Sequence, residues 1–316
     1  MGRYLVTGGA GFIGSHIAAR LLRDGHHVRV IDNLSTGRAS NLDAIRAAGD
    51  PARFDWLEGD IRSLETCRAA CRDVEYVLHQ AALASVQRSV ENPSDTTNVN
   101  VGGTVNVLTA AREAGARRVV LASSSSVYGD TPTLPKHEEM IPAPLSPYAA
   151  SKLAGEQFLR VFATTMGQPT LSLRYFNVFG PRQNEKSDYA AVIPLFITAM
   201  LERRRPTLFG DGHQTRDFTF IDDVVEANLL ACTGGEGRGE AVNIARGDRI
   251  SLRDLLAGIG KLTGVTPDPE VLPPRPGDVR DSQAAVEKAR ALLGFTAATS
   301  FEEGLRRTVD HFRGPR

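Results

Sequence analysis

An α/β fold is expected for this chain: a doubly wound parallel sheet with a smaller mixed α/β lobe towards the C-terminus. Three features carry that expectation. Short apolar runs alternate with helical segments through the first half, the pattern of parallel strands joined by right-handed crossovers. The first run ends directly in glycines, GGAGFIGSH (residues 8–16). The second half turns irregular, with connections such as GDGHQTRDF and VLPPRPGDVRD. Loops of that kind carry binding residues on a rigid scaffold.

The elements follow in order. Residues 3–7 read as an apolar strand, and a helix runs over 11–23 until Asp24-Gly25 stops it. Further strands are expected at 27–32, 54–58, 74–79 and 118–122. Between the last two, a helix over 98–114 keeps Val101, Val105, Leu108 and Ala111 at helical spacing. A longer helix covers 147–166 and ends at Gly167. Residues 171–180 read as a strand leading into a Gly-Pro turn, and 252–262, 283–293 and 301–312 as short helices. The sheet domain is expected over 1–176 and the smaller lobe over 177–316, with the chain crossing back into the sheet around 218–245.

Composition narrows the function. A length of 316 residues suffices for one large α/β domain plus a lobe. With 37 basic and 37 acidic side chains the net charge is zero, so nothing electrostatic points to nucleic acid or an anionic membrane. Cys67, Cys71 and Cys232 are too few for a disulfide framework or a zinc site; they read as packing residues in a reducing compartment. The first apolar run is a short strand rather than a leader, and no run could span a bilayer. A cytoplasmic location is expected.

The glycines imply a dinucleotide. Gly8, Gly11 and Gly14 fit GxxGxxG, and Gly9, Gly11 and Gly14 fit GxGxxG. Such glycines make a tight turn, admit a pyrophosphate against the backbone, and let helix and strand pack closely. The pyrophosphate then meets free N–H groups at a helix N-terminus. Asp32 ends the second strand, where a carboxylate accepts from the adenosine ribose hydroxyls and repels a 2′-phosphate. NAD is therefore expected over NADP, although the nearby Arg38 is a residue type that accommodates that phosphate. Asp60, in EGDIR, either meets the adenine edge or caps the next helix.

Chemistry is concentrated in Tyr148 and Lys152, within SPYAASKLAGEQ, downstream of the run SSSSVYG (residues 123–129). A phenol is a poor base, with an ordinary pKa of about 10. A lysine one helical turn away shares its face and favours the phenolate. A nearby serine hydroxyl can hold the substrate alcohol. With a nicotinamide, the set can take a proton and a hydride from one alcohol carbon.

TGGAGFIGSH, HQAA (residues 79–82), SSSSVYG and YAASK together resemble the extended short-chain dehydrogenase/reductase family. LRYFNVFGPRQ, YAAVIP (189–194), RDFTFIDDV (216–224) and RPGDVRDSQA (275–284) are similar to nucleotide-sugar 4-epimerases of that family, including those acting on UDP-N-acetylglucosamine and UDP-glucose. The resemblance implies a Rossmann-type sheet, bound NAD, a UDP-sugar substrate, and a homodimer formed through a four-helix interface of helices 98–114 and 147–166. It implies Tyr148 as general base and acid, Lys152 as its partner and holder of the nicotinamide ribose, and Ser124 on the reacting oxygen, a role Ser125 or Ser126 could share. Expected cofactor contacts are Gly8, Gly11, Phe12, Ile13, Gly14, Asp32, Asn33, Asp60, Ile61, Gln80, Ala81, Ala82, Asn100, Tyr175 and Phe176, besides Tyr148 and Lys152. Expected substrate contacts are Ser85, the three serines, Tyr148, Asn177, Ala191, Val192, Arg216, Arg275, Asp278 and Ser282. One departure stands out: Ala84 occupies the place of a lysine that helps bind NAD in many UDP-glucose 4-epimerases.

Other readings remain open at this level. A 4,6-dehydratase carries an Asp-Glu pair in the serine region, and this chain has Ser125-Ser126 there. A reductase would release its cofactor each turn, and a non-catalytic NAD-binding module would usually lack the tyrosine or lysine. His79 reads as structural. His26, His27 and His213 show no ligand pattern, and residues 203–205 read as a solvated helix end.

Overall fold

The computed structural model describes residues 1–184, 191–273 and 279–314. The first half holds β1 (Arg3–Thr7), α1 (Phe12–Arg23), β2 (His27–Asp32), α2 (Ala39–Arg46), β3 (Phe54–Glu58), α3 (Leu64–Cys71), β4 (Tyr76–His79), α4 (Val86–Glu91), α5 (Pro93–Thr97), α6 (Gly103–Glu113) and β5 (Arg118–Ser124). Then come α7 (Pro147–Met166), β6 (Thr170–Tyr175), β7 (Val178–Phe179), α8 (Val192–Leu201), β8 (Thr207–Phe209), β9 (Thr215–Arg216), β10 (Thr219–Phe220) and α9 (Ile221–Thr233). The chain closes with β11 (Arg238–Ile244), β12 (Ile250–Ser251), α10 (Leu252–Thr263), β13 (Glu270–Leu272), α11 (Glu287–Leu293) and α12 (Phe301–Arg313).

Seven parallel strands form one sheet in the order β11-β6-β5-β4-β1-β2-β3. This is the doubly wound Rossmann-like arrangement. Its strands alternate between two cores, as the period of two requires. Tyr4 and Val6 join the layer under α1, α2 and α9, whereas Leu5 faces the layer of α3, α6 and α7. Val120 and Leu121 part in the same way. Strand order reverses between β1 and β4, and ligands of such sheets bind outside the carboxyl ends at that point.

In the second half of the chain α8, α10 and α12 pack against one another beside a cluster of rings. Phe179, Phe218, Phe220 and Phe301 form that cluster, with ring centroids 5.5 to 6.0 Å apart, the range in which aromatic pairs attract beyond their buried area.

Four expectations need correction. The strand over 171–180 is two, β6 and β7, because Asn177 takes φ 28° and leaves the extended region. The helix over 98–114 opens as a π turn at 98–102 before α6 begins. Helix 283–293 starts only at Glu287, since the backbone before it is already paired: Lys136 N donates to Gln283 O (2.8 Å) and Ala285 N to Lys136 O (2.9 Å). The strand that edges the sheet within 218–245 is β11, absent from the expected strands.

All three cysteines are free and buried. No described helix is long and apolar enough to cross a membrane. Among the described residues no cluster of His, Cys, Asp or Glu could hold a metal.

Candidate active site

A cleft of about 330 Å³ lies along the carboxyl ends of the strands, lined from Asp32 and Asp60 at one end to Tyr148 and Lys152 at the other. The glycine turn forms its floor. Gly8 has φ +66°, and a Cβ there would come within 2.7 Å of the Ala81 backbone. A Cβ on Gly14 would meet Gly8 O at 2.3 Å. These close approaches bring α1 up against β1. The helix begins at Gly11 with no side-chain cap and no acid in its first turn, which leaves its N–H groups to an anion. A dinucleotide pyrophosphate fits this cradle.

At the adenosine end, Asp32 accepts from Ala10 N (3.0 Å) and Leu34 N (2.8 Å). Burial pushes its carboxyl upward, and these backbone N–H groups, with that of Asn33, oppose the rise. Arg38 Nη2 donates to Asn184 Oδ1 at 2.5 Å. The capping reading of Asp60 falls away, since the N-cap of α3 is Ser63; Asp60 lines the cleft. Arg62 bonds both its oxygens and, with Asn33 Nδ2 at 2.8 Å, holds it down at about 2. Arg62, Arg88 and Asp95 extend this wall through further ion pairs. They were not among the expected residues. Arg62 stands two residues past Asp60, the one local hint of its place.

The other end is built by α7. Ser146 caps it by accepting from Ala149 N, Pro147 begins it, and Gly167 closes it at φ 70°. Tyr148 and Lys152 therefore project from one face. Lys152 is buried, its Nζ donating to Ala122 O at 2.7 Å and lying 5.9 Å from the Tyr148 ring centroid. Burial brings the ammonium down from 10.5 to about 8, while the Glu156 carboxylate opposes the fall. Tyr148 is half-buried. Burial raises its phenol above the ordinary value, and the hydrogen bond with Ser124 counters the rise. The expectation that Lys152 directly lowers this phenol needs correction, because desolvation dominates here.

Ser124 ends β5, and its interaction with the Tyr148 phenol works against the burial shift. Ser126 donates its hydroxyl to Ser124 Oγ at 2.9 Å, and its N–H at 3.2 Å. Ser125 and Ser126 lie in the short turn beyond.

Gly8, Gly11, Phe12, Ile13, Gly14, Asn33, Ile61, Gln80, Ala81, Ala82 and Tyr175 all line the cleft, as does Ala84. Asn100 and Phe176 lie behind it. Asn100 is fixed by Leu83 N (2.8 Å) and by Ser151 Oγ (2.9 Å), and Phe176 sits in a small core with Val127 and Tyr128. Ser85 lies outside the lining and caps α4 by accepting from Arg88 N. Asn177 Nδ2 donates to Asp217 O at 3.1 Å. Ala191 and Val192 begin α8. Arg216, in β9, donates to the carbonyls of Thr215 and Arg280. Ser282 is buried with its N–H on Thr215 O (3.1 Å), well before α11. Arg275 and Asp278 lie outside the described residues. His79 is buried, bonded to Thr7 and Thr104, and burial lowers it to about 3. Arg204 and Arg205 pair with Glu202 and Asp268 on the surface.

Residues 4–245 match the family model of the NAD dependent epimerase/dehydratase family. The chain belongs to that family. NAD is its cofactor. Across 98% of both chains this family member is 42% identical to the UDP-glucose 4-epimerase of Mycolicibacterium smegmatis. Its fold matches the UDP-glucose 4-epimerase of Thermotoga maritima solved with UDP-glucose, at a TM-score of 0.92, 37% identity and 98% of each chain. It matches the UDP-N-acetylglucosamine 4-epimerase of Methanobrevibacter ruminantium in complex with UDP-N-acetylmuramic acid at 0.93, with 37% identity over 99% and 98% of the two chains.

Proposed function

We propose that this chain is a UDP-hexose 4-epimerase that interconverts UDP-N-acetylglucosamine and UDP-N-acetylgalactosamine, and also UDP-glucose and UDP-galactose, through a transient 4-keto sugar. One observation carries the reading. The cleft ends in the Tyr148 phenol and the Lys152 ammonium, and the serine run 123–126 beside them holds no carboxylate. Elimination of a sugar hydroxyl would need such an acid. Epimerisation needs one base able to serve both faces of the sugar.

When bound, NAD would supply the hydride acceptor and donor of the reaction. Tyr148 takes the proton from the 4-hydroxyl and later gives it back. Ser124 holds that oxygen in register with the phenol. Lys152 holds the nicotinamide ribose and keeps positive charge beside Tyr148. Residues 1–176 and the return at 218–245 hold the cofactor, while 177–316 hold the nucleotide sugar. Asn177, Val192 and Arg216 contact the diphosphate, with Arg275 and Asp278 completing that set. Two copies pair through the outer face of α7 and α6, where Phe158, Val161 and Met166 stand exposed.

The test is a panel of UDP-glucose, UDP-galactose, both N-acetyl forms and UDP-glucuronate, incubated with purified protein and no added cofactor and followed by NMR. Equilibration of the neutral sugars is expected. Loss of water from the sugar, turnover of the glucuronate alone, or NAD binding without turnover would each overturn the proposal.

A further inference from the structure

Behind Tyr148 and Lys152 lies a buried ion pair that the reaction as described does not use. Glu156 stands one helical turn beyond Lys152 on α7 and is buried. Arg174 on β6 grips it with two hydrogen bonds, Nε to Oε1 at 2.9 Å and Nη2 to Oε2 at 2.7 Å. The side chains of the pair are 5% and 4% exposed, so water screens neither. Ser123 Oγ donates to Oε1 as well. Ser123 sits between Ala122, whose carbonyl receives Lys152 Nζ, and Ser124, whose Oγ accepts from Ser126. Glu156 thus ties α7 to the end of β5 at the spot where both catalytic side chains meet that strand.

We propose that Glu156 is a positioning residue for this site: it clamps α7 to the serine turn of β5 and holds its negative charge one helical turn from the Lys152 ammonium. The charged and titratable groups around Lys152 come from three elements. Tyr148 and Glu156 share its helix, His79 faces it from β4, and Arg174 approaches from β6 through Glu156. His79 is neutral, because burial and the lysine itself keep protons off it. Tyr148 is neutral for the same reason of burial. Glu156 is therefore the negative charge available to the ammonium, and it acts against the burial that would strip the proton. Arg174 offsets part of that field but orients both carboxylate oxygens. A buried ion pair of this sort is otherwise weak evidence of anything beyond packing. Its place against Lys152 and the β5 turn is what gives it a role.

The inference rests on the assignment of Lys152 to the reaction, but its test does not. The chain has five lysines, Lys136, Lys152, Lys186, Lys261 and Lys288, so side-chain NMR of isotope-labelled lysine resolves each, and Lys152→Met assigns the signal. In Glu156→Gln the Lys152 midpoint should fall by about one pH unit or more. Glu156→Asp, which keeps the charge, should restore it. On a substrate that turns over, Glu156→Gln should lower kcat with KM for the nucleotide sugar unchanged, and move the alkaline limb of the pH profile to lower pH. If Glu156→Gln does not fold, the double substitution Glu156→Leu with Arg174→Met removes both buried charges and orphans neither. It should lower the midpoint in the same direction. A Lys152 midpoint equal to wild type in the variant that folds would overturn the proposal and leave the ion pair a packing element. Absence of sugar turnover with a shifted midpoint would count against the proposed function alone.

Discussion

Removing one oxygen atom separates chemistry from structure at this site. Tyr148→Phe deletes the phenol hydroxyl and keeps the half-buried ring on α7. The partner left behind is Ser124, and its Oγ still accepts from Ser126 N at 3.2 Å and Ser126 Oγ at 2.9 Å. No buried group is orphaned, so the loss of stability is at most that of one ordinary hydrogen bond, about 0.5–1.5 kcal/mol. The chemical loss is larger. Tyr148 is the acid and base at the reacting alcohol, and removing such a group lowers the rate about 10²- to 10⁴-fold, or about 3–5 kcal/mol of barrier. The assay is NMR-followed epimerisation at saturating UDP-sugar, with bound NAD measured after denaturation and Tm by calorimetry. The expected result is a collapsed kcat with NAD content and Tm near wild type. Activity within a few-fold of wild type would remove Tyr148 from the mechanism, and parallel loss of NAD would mean that the hydroxyl holds the cofactor instead.

Three further outcomes are expected. Lys152→Met should abolish turnover yet raise stability: burial that takes the ammonium from 10.5 to about 8 costs the fold about 3 kcal/mol. Because the folded protein binds the proton more weakly than the unfolded chain, that cost is complete below pH 8 and fades as pH rises to 10.5, so the gain in Tm should follow the same window. A variant less stable than wild type at neutral pH would contradict this. Asp32→Ala should narrow the preference for NAD over NADP in a direct titration and, by freeing the Ala10 and Leu34 N–H groups, lower stability by about 1–3 kcal/mol; equal binding of both cofactors by the wild-type protein would sink the role given to Asp32. Ser282→Tyr should cost the N-acetylated sugars selectively, because Ser282 is buried against β9 and a larger side chain there must overfill its surroundings by about 1–3 kcal/mol; equal loss on both sugar classes, or none, would show that this position does not set specificity.

The sequence by itself determined what depends on short spacing. Strands β1 to β5 were legible because a buried parallel strand is a short apolar run bounded by turn residues, and the glycine turn because its three glycines lie within one helical entry. Tyr148 and Lys152 were legible because four residues make one helical turn. The tertiary structure decided what depends on partners far along the chain. It brought the hydroxyl of Ser123 against Glu156 of α7, a contact that the run of four consecutive serines does not reveal. It brought β11 to the sheet edge beside β6, a pairing between segments more than sixty residues apart that no local period encodes. It kept residues 283–285 paired with Lys136, where the pattern alone read as helix, because hydrogen bonds to a segment far away in the chain outweighed helical propensity. It also set the electrostatics: a neighbour at four residues suggested a lowered phenol, whereas burial by the whole fold raised it.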